Sequence, residues 1–208
     1  GNDHAALIYV NSNIPHGGRY NFTLAHEIGH VCMHILAGVR NDFECGKGDF
    51  NPYSDPVEQE ANGFASGLLM PHLIDPLTDG EINWKNVKKI GQECATSLEA
   101  SFRRMIKLNK DPAAMIIHQD GQFIRFVSSD SFEARINKLP LSKEQKSLCA
   151  DGFLEYGYDD FEENEASDWV NPSIKGENLE KIYSSSIKLK NDFVYTILTY
   201  GDDCLEIK

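Results

Sequence analysis

The sequence lacks the patterns of a membrane protein and of a disulfide-stabilised secreted protein. Its five cysteines are odd in number and widely scattered, and none forms a CxxC pair, so neither a disulfide framework nor a cysteine zinc site is indicated. No apolar run approaches the roughly 18 residues of a membrane span, and no signal peptide opens the chain. We therefore expect a cytoplasmic protein without a membrane anchor. Because the chain begins with Gly1 rather than methionine, we also expect that a segment precedes it.

Basic residues are also scarce. The chain has 20 lysines and arginines against 32 aspartates and glutamates, which gives a formal net charge of -12. Surfaces that bind nucleic acid are basic, so direct nucleic-acid binding is not expected, whereas a basic protein partner would be attracted. The acidic run at 156–167 either contributes to such attraction or is a solvated loop.

The front half of the chain carries mostly helical patterns. A short strand is predicted over 5–13, and a long loop over 38–55. The predicted helices cover residues 20–36, 56–70, 84–94 and 97–108. The second of these helices has clear end signals, because Asp55 is an N-cap residue type, Pro56 suits the first helical position and Pro71 ends the pattern.

Beyond residue 110 the pattern changes to strands. Two apolar segments flank Asp120 and Gly121, a strong signal for a two-residue hairpin, and a second hairpin is predicted at Asn191 and Asp192. The predicted fold class is α+β. A helical domain over 1–110, with a short N-terminal strand region, precedes a smaller mixed α/β region over 111–208.

The stretch FTLAHEIGHVCMH carries the main chemical signal, an HExxH motif formed by His26, Glu27 and His30. On a helix, residues four apart lie on one face, so both imidazoles can reach one metal ion. Glu27 then lies beside the ion, where its carboxylate can take a proton from a bound water molecule. The alternative is a polar helix face that acquired this pattern by chance.

A third ligand has to come from another segment. His34 lies eight residues from His26, about 12 Å along the same helix, which is too far for both to bind one ion, so a structural role is expected for it. Glu58 falls within the apolar arc of the next predicted helix, and a carboxylate facing a core requires a cation. We therefore predict Glu58 as the third ligand, although Asp55 to Glu58 also has the spacing of a capping box.

Two neighbours of Glu58 have predicted roles in the same site. Asn62 lies one helical turn after Glu58. It is predicted to hold the Glu58 carboxylate in place without binding the metal itself. Glu60 projects outside the apolar arc and is the fallback ligand. Two histidines and a glutamate suit zinc best, with Mn²⁺ or Fe²⁺ as alternatives.

Taken together, RYNFTLAHEIGHVCMH and EQEANGFASGLLMP resemble the ImmA/IrrE family of zinc metallopeptidases. The match is strong over residues 5–75 and absent as a motif beyond 108. The resemblance implies a minimal zincin-like fold, in which the helix of Glu58 crosses behind the HExxH helix. It also implies a cytoplasmic regulatory protease that cleaves a helix-turn-helix repressor, in phage or mobile-element regulation or in stress responses.

Several readings of the function stay open at this stage. The metal could stabilise a non-catalytic binding module, although such a site has no need of Glu27. The chain could be an antitoxin-like partner that sequesters a toxin, or a general peptidase. The region 111–208 carries no motif, and a regulatory or substrate-recruiting role is expected for it.

Overall fold

The computed structural model has the α+β architecture that the sequence predicts. It describes residues 6–11, 13–14, 17–38, 55–71, 80–145, 161–174 and 177–205. The helices are α1 (Gly17–His30), continued by a π-helical turn (Val31–Ile35), then α2 (Pro56–Leu69), α3 (Trp84–Glu93) and α4 (Leu98–Leu108). The strands are β1 (Ala113–Gln119), β2 (Gln122–Ser128), β3 (Arg135–Ile136), β4 (Glu162–Glu165), β5 (Val170–Asn171), β6 (Ser173–Ile174), β7 (Glu177–Asn178), β8 (Lys181–Lys188) and β9 (Phe193–Thr199).

The chain divides into two compact units, and the division falls inside α3 and α4. The units comprise Gly1–Asp75 with Ile90–Ala100, and Pro76–Lys89 with Ser101–Lys208. The separate functions expected for 1–110 and 111–208 stay predictions.

Helix α2 of the first unit begins and ends where the sequence predicts. The side chain of Asp55 accepts a hydrogen bond from the backbone N–H of Val57 at 2.9 Å, and Pro56 is the first helical residue. This cap satisfies one of the N–H groups that a helix start leaves without an internal partner. The last helical residue is Leu69, shortly before Pro71. The capping prediction is confirmed.

Small residues line the contact between α1 and α2. A methyl group added to Gly29 would lie 3.2 Å from the Cβ atom of Phe64 and 3.3 Å from the Cα atom of Ala61. Ala25 and Ala65 are also buried. Because Gly29 has no side chain, the two helices approach closely here, and polar side chains on one helix can reach those on the other. The resemblance implied such a crossing.

The start of α1 is packed against backbone at Gly18, and this contact gives a stability prediction. A methyl group at Gly18 would lie 2.7 Å from the carbonyl carbon of Thr96 and 2.9 Å from the amide nitrogen of Ser97. We expect Gly18→Ala to lower the free energy of unfolding by about 1–3 kcal/mol, the usual cost of overpacking, as measured by chemical denaturation. Gly17→Ala is the matched control, because a methyl group there meets nothing within 4 Å. Equal stabilities of the two variants would contradict this packing.

The second unit contains a five-stranded antiparallel sheet with the order β2-β1-β9-β8-β4. The hairpin between β1 and β2 turns through Asp120 and Gly121, whose φ angles are 52° and 73°. The hairpin between β8 and β9 turns through Asn191 and Asp192, at 59° and 54°. Positive φ at both central residues is the geometry that these residue types tolerate best. Both predicted hairpins are confirmed.

Helix residues and inner strands build the core of this unit. Trp84 is fully buried, and its Nε1–H donates a hydrogen bond to the carbonyl oxygen of Ser185 in β8 at 3.0 Å. The central strand β1 is buried along nearly its whole length. His118 is buried in this strand, with Nε2 3.2 Å from the Leu139 carbonyl oxygen. Burial lowers the pKa of His118.

Two segments differ from the sequence-based expectations. Residues 6–11 have no regular secondary structure, so the N-terminal strand predicted over 5–13 is not formed among them. The described part of the acidic run contains the edge strand β4, which pairs with β8 and is not merely a solvated loop. The loop predicted over 38–55 lies, apart from its ends, outside the described residues.

Within the described ranges, no helix is both long enough and apolar enough to cross a membrane. The cysteines in those ranges are Cys32, Cys94 and Cys204, and each is a free thiol. A cytoplasmic location stays a prediction.

Candidate metal centre

Helix α1 places the two histidines of HExxH side by side, one turn apart. The ring centroids of His26 and His30 are 4.5 Å apart, and the ring planes are nearly perpendicular at 83°. Their Nε2 atoms are separated by 2.9 Å. His30 is buried and His26 is partly buried, so the two nitrogens meet at a site that is shielded from bulk solvent on one side.

Glu58 joins this pair from the first turn of α2. Its Oε2 atom lies 3.2 Å from Nε2 of His26, and its Oε1 atom lies 3.4 Å from Nε2 of His30. One ligand atom from each of the three residues lies within 4.8 Å of the other two. The carboxylate therefore faces the histidines, as the ligand prediction requires. The structure brings the three predicted ligands together, and their role as ligands stays a prediction.

The three separations fit a tetrahedral metal. Zinc binds imidazole nitrogen and carboxylate oxygen at about 2.0–2.2 Å, so two tetrahedral ligand atoms lie about 3.3–3.6 Å apart. Oε2 of Glu58 lies 3.2 Å from Nε2 of His26 and the other carboxylate oxygen, Oε1, lies 3.4 Å from Nε2 of His30, both close to this edge, whereas the two Nε2 atoms are closer together at 2.9 Å. Two histidines and one glutamate are also a known catalytic zinc set. The residues present thus fit a zinc ion.

Asn62 contacts a different ligand from the one predicted. Its Oδ1 atom lies 3.0 Å from Nδ1 of His26, whereas the sequence placed its amide on the Glu58 carboxylate. The close approach of α1 and α2 directs Asn62 across to the other helix, which a pattern on α2 alone does not reveal. Asn62 therefore lies beside the predicted ligands, as expected, but it holds the imidazole ring of His26 rather than the Glu58 carboxylate.

Glu60 lies outside the ligand cluster. Its Oε2 atom lies 3.0 Å from Nε2 of His34, and its side chain is 58% exposed. His34 is buried and its Nδ1 atom lies 3.1 Å from Nδ1 of His30. Sequence reasoning missed this contact, although His34 follows His30 by four residues and that spacing predicts neighbours on a helix.

The electrostatics of the cluster favour a neutral His30. Burial, followed by the nearby His26, lowers the pKa of His30, and the charges of Glu58 and Glu27 oppose this shift. A neutral imidazole is the form that binds a metal ion. Glu27 is half-buried on α1, close enough for its charge to act on His30. The role of Glu27 as the base stays a prediction.

Comparison with known proteins supports the resemblance in the sequence. Residues 1–74 match the family model of the IrrE N-terminal-like domain, a peptidase family. No curated protein matches the chain. Among solved structures, the chain is similar to a Mycobacterium tuberculosis transcriptional regulator, with 12% sequence identity and a TM-score of 0.46. The alignment covers 88% of this chain and 56% of that one, so the chain spans about half the length of that protein.

The family match covers all the residues brought together in the cluster, from His26 to Glu58, as well as Asn62. Peptidases of this family are typically metal-dependent, in agreement with the donor set of the cluster. The match to the IrrE N-terminal-like domain thus covers residues 1–74, the part of the chain that contains this cluster, and agrees with the resemblance of that part to ImmA/IrrE peptidases.

Proposed function

We propose that this protein is a zinc-dependent metalloendopeptidase that cleaves a helix-turn-helix transcriptional repressor. In this proposal His26, His30 and Glu58 hold the zinc ion, and Glu27 is the general base. The observation that carries the proposal is the convergence of three acceptor atoms from α1 and α2 on one point.

The hydrogen bond from His26 to Asn62 determines which nitrogen of His26 faces Glu58 and His30. The Oδ1 atom of Asn62 only accepts hydrogen bonds, so Nδ1 of His26 donates to it, and Nε2 is the nitrogen directed at the other two residues. This Nε2 atom lies 3.2 Å from Oε2 of the Glu58 carboxylate. A carboxylate that is largely shielded from solvent is stabilised by a positive charge close to it. A metal ion supplies that charge and also uses the nearby Nε2 of His30.

The proposed chemistry assigns one task to Glu27. A zinc ion at this site supplies Lewis acidity, which lowers the pKa of a water molecule towards about 7 and polarises a carbonyl group. Glu27 takes a proton from the attacking water and passes it to the leaving amine. His26, His30 and Glu58 supply a net charge of one negative unit, which leaves the site positive when a divalent ion is bound.

The substrate class rests on the family and on charge. The resemblance to ImmA/IrrE proteins implies a DNA-binding repressor as substrate. The net charge of -12 favours association with a basic protein of that kind. We assign a regulatory or substrate-recruiting role to the region 111–208, because its sheet has a core of its own and contributes no residue to the cluster of three ligands. No direct contact with nucleic acid is part of the proposal.

Metal analysis tests the site. We expect the purified wild-type chain to contain about one zinc per chain, and Glu58→Ala to contain little. Removal of one of three protein ligands leaves a two-histidine site with far weaker affinity. Glu60→Ala, on the same helix, tests the fallback ligand, and it should stay filled with zinc when the metal is in excess. Elemental analysis of the three proteins gives both the stoichiometry and the identity of the metal, which separates zinc from Mn²⁺ or Fe²⁺.

The possible results are distinct. Full zinc in Glu58→Ala together with loss in Glu60→Ala would make Glu60 the third ligand. The absence of any metal from the wild type after incubation with zinc would overturn the proposal and favour a binding module.

A further inference from the structure

The buried His34 contacts the ring of His30 on the side away from the proposed metal position, and the exposed Glu60 contacts His34 in turn. The π-helical turn Val31–Ile35 follows directly on α1, and its Leu36 N–H bonds to the Val31 carbonyl oxygen, five residues back, at 2.9 Å. Short π-helical segments often occur at functional sites. Here the wider turn carries His34, which is 2% exposed.

The hydrogen bonds of His34 connect His30 to Glu60. The Glu60 carboxylate only accepts, so the Nε2 atom of His34, 3.0 Å away, carries a proton. The Nδ1 atom of His34 lies 3.1 Å from Nδ1 of His30, so one of these two nitrogens accepts from the other. The Nε2 atom of His30 lies 3.4 Å from the Glu58 carboxylate. Contacts at hydrogen-bond distance thus run from the proposed metal position through His30 and His34 to Glu60.

We propose that His34 and Glu60 are positioning residues, which hold the His30 ring in the orientation and tautomer that bind the metal. This inference rests on the proposed zinc site and adds two residues to it. His26 has an equivalent arrangement, because Asn62 accepts from its outer nitrogen. Each histidine ligand therefore has its outer N–H held by an acceptor, a feature that typically raises ligand basicity and metal affinity.

A histidine that only fills space at this position would behave differently. Its replacement by any residue of similar volume would leave zinc affinity unchanged, and Glu60 would have no influence on the metal. The exposed Glu60 carboxylate lies on the solvent side of the chain of hydrogen bonds, and its side chain is 58% exposed. Its substitution should therefore not disturb folding, which makes it a clean second variant.

Zinc affinity of the full chain, measured by competition with a chelator of known affinity, tests the proposal. We expect His34→Phe to bind zinc about 10- to 100-fold more weakly than wild type, the usual effect of losing an outer partner of a metal ligand. His34→Asn should restore most of this loss, because its amide oxygen lies close to the place of the Nδ1 acceptor. Glu60→Ala should weaken binding by about tenfold. Wild-type affinity in both His34→Phe and Glu60→Ala would overturn the proposal.

A double variant tests whether Glu60 acts through His34. Glu60→Ala should have no further effect in the His34→Asn background, because asparagine lacks the Nε2–H that Glu60 accepts. Additive losses would show that Glu60 acts on the metal by charge alone and would overturn its positioning role.

The tautomer of His34 gives a readout that does not need the metal. Long-range proton–nitrogen NMR correlations of metal-free wild type should show a protonated Nε2 and an unprotonated Nδ1 on His34. The opposite tautomer would overturn the inference while the zinc site stands. Conversely, a wild type that binds no zinc but shows this tautomer would overturn the proposed function while the hydrogen-bonded chain stands.

Discussion

Glu27→Gln is expected to keep about one zinc per chain and to cleave the repressor about 10²- to 10⁴-fold more slowly than wild type, the usual contribution of a general base. Glutamine has nearly the same shape, but its amide cannot take a proton from water. Glu27 is outside the set of three atoms that converge on the metal position, so metal binding should survive. A loss in rate without a loss in zinc separates a base from a ligand.

The assay uses purified proteins and a defined substrate. A purified helix-turn-helix repressor is incubated with the wild type or with Glu27→Gln, and cleavage rates and zinc content are measured on the same preparations. Glu162→Gln, an exposed residue of β4, controls for the loss of one negative charge and should cleave at the wild-type rate. Retention of the wild-type rate by Glu27→Gln would contradict the mechanism. Equal cleavage of unstructured peptides by the wild type would favour a general peptidase.

Trp84→Ala is expected to lower the free energy of unfolding by about 3–5 kcal/mol, the range for large aromatic side chains truncated in a core. Trp84 is fully buried, and its Nε1–H also bonds to the Ser185 carbonyl oxygen. The change therefore leaves a cavity and removes a hydrogen bond between α3 and β8. Urea denaturation followed by circular dichroism measures the loss.

A second tryptophan separates the hydrogen bond from the packing. Trp169 is 4% exposed, and its Nε1 atom has no hydrogen-bond partner among the described residues. Trp84→Phe should therefore cost about 1 kcal/mol more than Trp169→Phe, which is the typical net value of one hydrogen bond. Equal losses for the two phenylalanine variants would show that the bond to Ser185 contributes nothing to stability.

Local signals in the sequence predict much of this fold. Asp55 and Pro56 define the start of α2, and the turn residues Asp120 and Gly121 define the first hairpin, because a few neighbouring residues determine these geometries. Local signals also predict the candidate site. The spacing of His26 and His30 together with the buried direction of Glu58 predicts the cluster that the structure brings together.

The features that sequence reasoning missed depend on contacts between distant segments. Residues 6–11 have no regular secondary structure, because a strand requires a partner for its backbone hydrogen bonds. β4 consists of residue types that are rare in strands, and pairing with β8 outweighs that local preference. The contact of Asn62 with His26 depends on how two helices pack, which the periodicity of one helix does not reveal. The contact of His34 with His30 has a signal in the four-residue spacing, whereas the contact of His34 with Glu60 again requires the neighbouring helix.

The strand order of the sheet has a consequence for folding during synthesis. The central strand β1 pairs with β2, which follows immediately, and with β9, the last strand, through pairs such as Ala113 with Thr199. The first unit, by contrast, draws on no residue beyond Ala100. During synthesis the ribosome therefore releases all segments that carry the three predicted ligands before β9 is available to pair with β1. In that interval β1 can pair with β2 but not yet with β9, so one edge of this apolar strand is exposed. An exposed apolar edge makes a chain prone to aggregate.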